Sequence, residues 1–233
     1  MDIKTLREKQ LKKTKQQIKQ AVNPDNMIIN AVNMIEEIDK TANSLIMRLR
    51  DWISVINPEL EDKVENDENL LKKIISQDIT KSEMGKTLSK DDIEILKKLA
   101  EKIKGIQNQK QELENYIEKL LKNHAPNLLG MLGVNITSKM LKEAKSLKKL
   151  AFLQSGTVQL LGAEKALFRH LKTGAKSPKY GIILNHPIVQ ESKNKGKTSR
   201  VLADKISIAA RLDYFKGEIM HEELIKQVKD CNK

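Results

Sequence analysis

The feature of the sequence that constrains the fold most strongly is a pair of apolar stripes whose members alternate in spacing between three and four residues. The first stripe consists of Ile28, Ala31, Ile35, Ile38, Ala42, Leu45, Leu49, Trp52 and Ile56. The second consists of Leu96, Leu99, Ile103, Ile106, Lys110, Leu113, Ile117 and Leu120. This spacing places each set along one face of an α-helix and is typical of a coiled-coil seam. The sequence therefore predicts two long helices that form an antiparallel hairpin.

Signals for the ends of these helices lie next to the stripes. Pro58 disfavours the helical conformation of the residue before it, so we expect the first helix to end there. Ser89 and Asp92 match a capping box at the start of the second helix. The polar stretch 59–90 is then the hairpin tip, and residues 1–23 are expected to form a shorter helix that precedes the hairpin.

Both stripes admit two interpretations. Each can be a packing face within the chain, or a face that also forms a dimer. Lys110 is the polar member of the second stripe. Burying a lysine is costly unless it pairs or extends to solvent, so we expect Lys110 near an edge of the seam.

Charge is distributed unevenly along the 233 residues. The whole chain carries 43 Lys and Arg against 31 Asp and Glu, but residues 1–122 carry 23 basic and 22 acidic side chains. Residues 123–233 carry 20 basic and nine acidic side chains, and eight of the ten glycines. We therefore predict two domains, 1–122 with the hairpin and 123–233 with a compact basic fold. An aromatic fraction of 3% with 32% charged residues favours an all-α class.

Several classes of protein are excluded at this stage. The longest apolar runs stop far short of the roughly 20 residues that a membrane span requires, and no signal peptide is recognisable, so we expect an intracellular protein without a membrane partner. Cys231 is the only cysteine, which excludes an internal disulfide and a cysteine-built zinc site.

We expect the second domain to consist of helices and ordered loops. The predicted elements are a helix capped by Thr137 that runs to 150, a helical pattern over 160–171, an ordered loop over 174–194, a solvated basic loop over 193–197, a helix over 200–212 and a last helix over about 216–228.

The stretch 165–211 concentrates the positive charge, with 11 basic residues against Glu191 and Asp204. Such density favours a polyanionic partner. His170, Tyr180 and His186 could stack on or bond to unpaired bases, which favours RNA over DNA. The alternative is a basic face that only keeps the protein soluble.

Enzymatic interpretations find little support. Gly196-Lys197-Thr198 ends like a phosphate-binding loop, but the position of the first glycine of that motif is Glu191. The four histidines lack the spacing of a zinc site, and no serine lies in a nucleophile elbow. We therefore expect no enzymatic activity, no cofactor and no metal.

Four segments together resemble the Nop domain family. They are Leu161-Gly-Ala-Glu-Lys-Ala-Leu-Phe-Arg-His-Leu171, Ser177-Pro-Lys-Tyr-Gly181, Asn185-His-Pro187 and Ile208-Ala-Ala-Arg-Leu-Asp-Tyr-Phe215. The resemblance extends upstream and covers most of residues 26–216. Members of this family are scaffolds of box C/D small ribonucleoproteins, in archaea and in the nucleolus, with more distant spliceosomal relatives.

The resemblance implies a hairpin that forms a homodimer and a compact domain that binds box C/D kink-turn RNA together with a kink-turn-binding ribosomal-type protein. Such a scaffold supports RNA-guided 2′-O-methylation of rRNA, in the cytoplasm of archaea or in the nucleolus or nucleus of eukaryotes. The alternatives are a spliceosomal-type adaptor on a small nuclear RNA kink-turn and a helical interaction protein without RNA.

The resemblance also implies roles for individual residues. Lys165, Arg169 and His170 would lie at the RNA, and Lys179 occupies a loop position that abuts it. The wider expected RNA set adds Lys172, Lys176, His186, Lys197, Arg200, Lys205 and Arg211. An ion pair between Arg211 and Asp213 is an equal alternative for Arg211. The segment expected to contact the kink-turn-binding protein is Gln154, Ser155, Gly156 and Thr157, although it departs from the Lys-Leu-Pro-Ala-Ser-Thr-like pattern of relatives.

Fibrillarin is a further expected partner, but only of a full-length relative. Archaeal relatives carry an additional N-terminal domain that docks this methyltransferase, whereas about 25 residues precede the coiled coil here. The sequence is then either a truncated piece or a natural short form.

Overall fold

A computed structural model of the chain describes residues 3–21, 23–64, 66–76, 79 and 88–230. The described residues are predominantly helical and contain no β-strand, which confirms the predicted all-α class. The helices are α1 (Ile3–Ala21), α2 (Pro24–Ile56), α3 (Pro58–Lys63), α4 (Asp67–Ile75), α5 (Lys90–His124), α6 (Pro126–Ala144), α7 (Leu147–Phe152), α8 (Ser155–Leu160), α9 (Glu164–Thr173), a 3-10 helix (Ile182–Asn185), α10 (Pro187–Gln190), α11 (Lys195–Phe215) and α12 (His221–Asp230). Among these described helices, none combines the length and the apolarity that crossing a membrane requires.

The chain forms two compact units. The hairpin unit comprises residues 33–115, and the larger unit comprises residues 1–32 together with 116–233. Because α2 and α5 each contribute residues to both units, the boundary is not a single position in the sequence. The boundary proposed after residue 122 stays a prediction about separately folding domains.

The hairpin unit is built on antiparallel packing of α2 and α5. Its core brings Ile46, Leu49 and Ile53 of α2 together with Leu96 and Ile103 of α5, each at most 2% exposed. Nearer the other end of the hairpin unit, the Nζ atom of Lys110 lies 2.7 Å from Oδ1 of Asp39. This half-exposed ion pair neutralises the charge of Lys110, the polar member of the second stripe.

The buried line along α2 differs from the predicted stripe. Trp52 is 44% exposed and Leu45 is only half-buried, whereas Ile46 and Ile53 are fully buried. A stripe with a 3.5-residue period drifts by about 20° per heptad around a straight helix. Over the length of α2 the drift moves the buried face onto the neighbouring positions, so within the single chain Ile53 is buried in place of Trp52.

The helix ends of the hairpin follow the sequence signals. α2 ends at Ile56 and Pro58 begins α3, as predicted. Ser89 and Asp92 form the reciprocal bonds of a capping box, with the Asp92 N–H donating to Ser89 Oγ and the Ser89 N–H donating to an Asp92 carboxylate oxygen, both at 3.2 Å. Of the tip expected over 59–90, residues 65, 77–78 and 80–87 lie outside the described residues.

The larger unit is organised around α11, which packs against α6, α7, α8 and α12. Its buried face contains Leu202 and Ile206, each fully buried. Ala203, Ala209 and Ala210 on the same helix are also fully buried. Small side chains allow close approach of neighbouring helices, so a long basic helix can serve as the centre of a packed unit.

Three local predictions in the larger unit are wrong. Thr137 does not cap a helix, because it lies inside α6, where its buried Oγ1 donates to Leu128 O at 3.0 Å. The helix predicted to run to 150 ends at Ala144, followed by Lys145 in the left-handed conformation, and Ser146 caps a separate α7. The predicted last helix over 216–228 begins later, at His221.

Candidate nucleic-acid interface

The loop that follows α9 is held against the end of α8 by hydrogen bonds. Gly181 N donates to Gln159 O at 2.8 Å, and Ile182 N donates to Leu161 O at 2.9 Å. The side-chain amide of Gln159 donates to Lys179 O at 2.7 Å. A Cβ atom on residue 181 would lie 2.0 Å from Leu161 O, so the approach requires glycine. These contacts fix the backbone of Lys179 next to α8.

A groove of about 1100 Å³ lies between α8, residues 176–179 and the beginning of α11. Four exposed cationic side chains line it: Lys176, Lys179, Lys197 and Arg200. None of them forms an ion pair with another described residue, and the groove lining contains no Asp or Glu. Because these like charges repel one another, an anion in the groove lowers the electrostatic energy.

The beginning of α11 adds to the positive potential of the groove. Asn194 caps this 21-residue helix, and its side-chain oxygen accepts from Lys197 N at 3.1 Å. The N-terminal turn of a helix carries a partial positive charge and free N–H groups. The solvated loop predicted over 193–197 is therefore wrong in its second half, because α11 begins at Lys195.

The helix α9 presents a second basic surface. Lys165, Arg169 and Lys172 are all exposed, and none forms an ion pair within the described part of the chain. Leu171 on the same helix is 70% exposed, and α9 has no buried residue. Exposed apolar side chains beside cations leave the whole helix available for a partner.

His170 is positioned by the turn that ends α9. Its Nδ1 is bonded to the carbonyl oxygen of Ala175, and Gly174 ends the helix in the left-handed conformation, with φ of +69°. The ring is half-buried, and Nε2 has no partner among the described residues. The predicted role of His170 at RNA stays a prediction.

His186 cannot belong to an RNA-contacting surface, contrary to the expectation from sequence. Its side chain is buried, Nε2 lies 3.0 Å from Met131 O, and Nδ1 accepts from Ile188 N at 3.3 Å. Nδ1 therefore caps the start of α10, and Nε2 joins this cap to α6. Burial lowers the pKa of His186, although the Met131 carbonyl opposes the shift.

We expect the buried His186 to make stability depend on pH. Because its pKa is lower in the folded chain than in the unfolded chain, the unfolded chain binds more protons below a pH of about 6.5. The free energy of unfolding should then fall as the pH falls below that value, by at most about 1.4 kcal/mol per pH unit. Chemical denaturation between pH 7.5 and 5 measures this slope, and His186→Gln should reduce it. Equal slopes for both proteins would contradict the assignment.

Lys205 and Arg211 are engaged within the larger unit, away from the groove lining. Lys205 Nζ donates to Oε1 of Gln227 on α12, and Arg211 Nε donates to Ala151 O at 3.1 Å. The alternative ion pair between Arg211 and Asp213 is wrong, because residues two positions apart lie on different sides of a helix.

Asp213 has a role that sequence reasoning missed. Its Oδ1 accepts from the backbone and side-chain N–H groups of Asn127, and its Oδ2 accepts from Leu128 N, all at 2.9 Å. Ala125 cannot cap α6, so Asp213 supplies the cap from α11. Burial raises the pKa of Asp213, and the three N–H donors oppose that shift. No local pattern reveals a contact 86 residues apart in the sequence.

The segment expected to contact the kink-turn-binding protein forms the beginning of α8. Gln154, Gly156 and Thr157 are exposed and Ser155 is half-buried. Gly156 also lines the groove, so this segment borders the cationic surface. The expected protein contact stays a prediction. In the described parts of the chain, no three His, Cys, Asp or Glu side chains converge in a way that could hold a metal ion.

Comparison with known proteins identifies relatives along most of the chain. The family model of Nop, described as "snoRNA binding domain, fibrillarin", matches residues 62–231. An uncharacterised NOP5 family protein of Methanocaldococcus jannaschii is 39% identical over 242 residues, which cover 92% of this chain and 58% of that protein. Human nucleolar protein 56 is 33% identical over 239 residues, which cover 88% of this chain and 40% of that protein.

A solved structure shares the fold. The crystal structure of a fibrillarin/Nop5p complex contains a chain that superposes with a TM-score of 0.62 at 25% identity, covering 99% of this chain and 78% of that chain. The present chain thus spans 40% to 58% of the length of the two curated relatives described above.

Proposed function

Because the chain belongs to the Nop family, as its motifs predicted, we propose that it is a non-enzymatic scaffold that binds box C/D kink-turn RNA. The observation that supports this most directly is the groove lined by Lys176, Lys179, Lys197 and Arg200 without an acidic side chain. Lysine and arginine side chains that lack protein partners bind phosphate oxygens and release counterions.

The kink-turn-binding ribosomal-type protein is the second partner in this proposal. Phosphate contacts supply affinity but little sequence information, so a protein that fixes the fold of the RNA would supply the specificity. The exposed start of α8 borders the groove through Gly156. The kink-turn-binding protein at the start of α8 and the RNA in the groove would therefore contact this chain side by side. The assembled particle would support 2′-O-methylation of rRNA, in the nucleolus for a eukaryotic chain and in the cytoplasm for an archaeal one.

Salt dependence tests the electrostatic part of this proposal. If the four groove cations contact phosphates, the logarithm of the affinity for kink-turn RNA should fall with the logarithm of salt at a slope of about −3 to −4. Fluorescence anisotropy at several salt concentrations, with the kink-turn-binding protein present throughout, measures this slope. A slope near zero would contradict the assignment of the groove.

We also propose that the hairpin unit forms a homodimer. An apolar groove on this unit is lined by Met34, Ile38, Ile106 and Leu113, with polar residues at its margin. Ile38, Ile106 and Leu113 belong to the predicted stripes, and these three residues, like the stripe residue Ile35, are only half-buried in the single chain. Half-buried seam positions in a coiled coil are completed by a partner helix.

Replacing Leu113 by glutamate should convert a dimer to a monomer, because a carboxylate in the apolar groove would be buried without a partner. Light scattering at tens of micromolar measures the mass. Val55→Glu is the matched control, because Val55 is 73% exposed on the same unit. A monomeric wild type, or a dimer that survives Leu113→Glu, would contradict the dimer proposal.

A further inference from the structure

Three of the seven aromatic side chains form one exposed cluster in the larger unit. Phe152 ends α7, and Tyr214 and Phe215 end α11. Their ring centroids lie 5.0 to 6.2 Å apart with interplanar angles of 70° to 74°. Phe152 is 64% exposed and Phe215 is 66% exposed. The rings therefore support one another edge to face, with Tyr214 half-buried and most of the surface of Phe152 and Phe215 open to solvent.

The backbone under this aromatic cluster is fixed by hydrogen bonds. Arg211 Nε donates to Ala151 O at 3.1 Å and joins α11 to α7 directly beside Phe152. Lys216 ends α11 in the left-handed conformation, with φ of +55°, and its N–H bonds to the Asp213 carbonyl. The aromatic cluster is thus a preorganised surface that loses little conformational entropy when a partner binds.

Both helices that carry the aromatic cluster also carry cations close to it in sequence. Lys148 and Lys149 precede Phe152 by four and three residues, which places them on the same side of α7. Arg211 precedes Phe215 by four residues on α11. None of these three cations forms an ion pair within the described residues. The only acidic residue in the last two turns of α11 is Asp213, whose carboxylate is buried against α6.

We propose that this aromatic cluster is a stacking platform for unpaired RNA bases, with Lys148, Lys149 and Arg211 placed to hold the adjacent phosphates. Flat, exposed rings interleaved with unpaired cations match a partner that alternates aromatic bases with negative charge. A purely apolar protein partner would leave those cations unpaired. The inference rests on the proposed RNA-binding function and adds a contact with single-stranded RNA outside the groove, because none of these residues lines the groove.

Two RNAs test the proposal, each in the presence of the kink-turn-binding protein. One is a blunt-ended kink-turn RNA, and the other carries a single-stranded extension of about eight nucleotides, within the range that stacking sites accommodate. We expect the extension to strengthen binding of the wild type about tenfold or more, and we expect Phe152→Ala with Phe215→Ala to lose that gain while keeping wild-type affinity for the blunt-ended RNA.

Control variants separate stacking from other effects. Phe152→Leu with Phe215→Leu keeps the apolar surface and removes the rings, so it should also lose the gain. Tyr116→Ala removes another aromatic residue, which lies on α5 and is 41% exposed. This variant should keep the affinity gained from the extension. In a Trp52→Phe background, Phe152→Trp should show fluorescence quenched by the extended RNA and not by the blunt-ended RNA. Circular dichroism confirms folding of every variant.

Several results would overturn the proposal. They are a wild type that gains nothing from the extension, alanine variants that keep the gain, and leucine variants that keep the gain. The last result would show that apolar contact, and not stacking on the rings, binds the extension. Failure of the wild type to bind either RNA would contradict both this proposal and the proposed function. If the double alanine variant loses only the affinity gained from the extension and still binds the blunt-ended RNA, the extension binds at the aromatic cluster and not in the groove.

Discussion

Reversing two groove charges, Lys179→Glu with Arg200→Glu, is expected to weaken binding to the kink-turn RNA complex at least about a hundredfold. Each cation lost from a phosphate removes a charge-assisted hydrogen bond worth about 1.5–3 kcal/mol, so two amount to about 3 kcal/mol or more, and the new carboxylates add repulsion. Both side chains are exposed, so the fold should be unaffected. Anisotropy titration at physiological salt measures the loss.

A control with the same change in net charge separates the groove from the overall charge of the protein. Lys226→Glu with Lys229→Glu alters two exposed lysines on α12 that do not line the groove. If affinity depends only on the net charge of +12, both double variants will bind equally weakly, and the groove would then not be the RNA site. The proposal requires the α12 variant to bind close to wild type.

Replacing Asp213 by alanine is expected to destabilise the larger unit by about 3 kcal/mol, because it leaves buried N–H donors without an acceptor. These donors are the backbone N–H groups of Asn127 and Leu128 and the side-chain amide of Asn127, each 2.9 Å from the carboxylate. Chemical denaturation monitored by circular dichroism measures the change.

The matched control for this prediction is Asp213→Asn, which keeps one carbonyl acceptor and should lose less stability than alanine. Affinity for RNA under conditions where the alanine variant is folded should remain close to wild type, because Asp213 lies outside the groove lining. If alanine costs less than about 1 kcal/mol, the carboxylate does not cap α6 in the way described.

Local sequence signals predicted the helical framework well. Pro58 ends α2 and Ser89 caps α5 because both effects act within a single turn of helix. The stripe positions were less accurate toward the tip, where Ile53 is buried and Trp52 is 44% exposed. A repeat of 3.5 residues drifts around a helix that has 3.6 residues per turn, so the buried face does not stay on the predicted positions.

The groove could be predicted only in part. Its cations are visible in the sequence as a dense basic stretch, but the sequence does not show that Lys179 is held beside α8 by Gln159 and Gly181. The error at His186 has the same origin. A histidine in a basic segment looks exposed until its packing against Met131 is known.

Assembly of the complex is the most direct measurement of the central claim that this chain is an RNA-binding scaffold. Native mass spectrometry of the full chain mixed with kink-turn RNA and the kink-turn-binding protein should detect a complex that contains all three components, with the scaffold present in two copies. The complex should weaken sharply when Lys179 and Arg200 are reversed in charge. A mixture in which this chain remains free while the RNA and the kink-turn-binding protein associate without it would contradict the account.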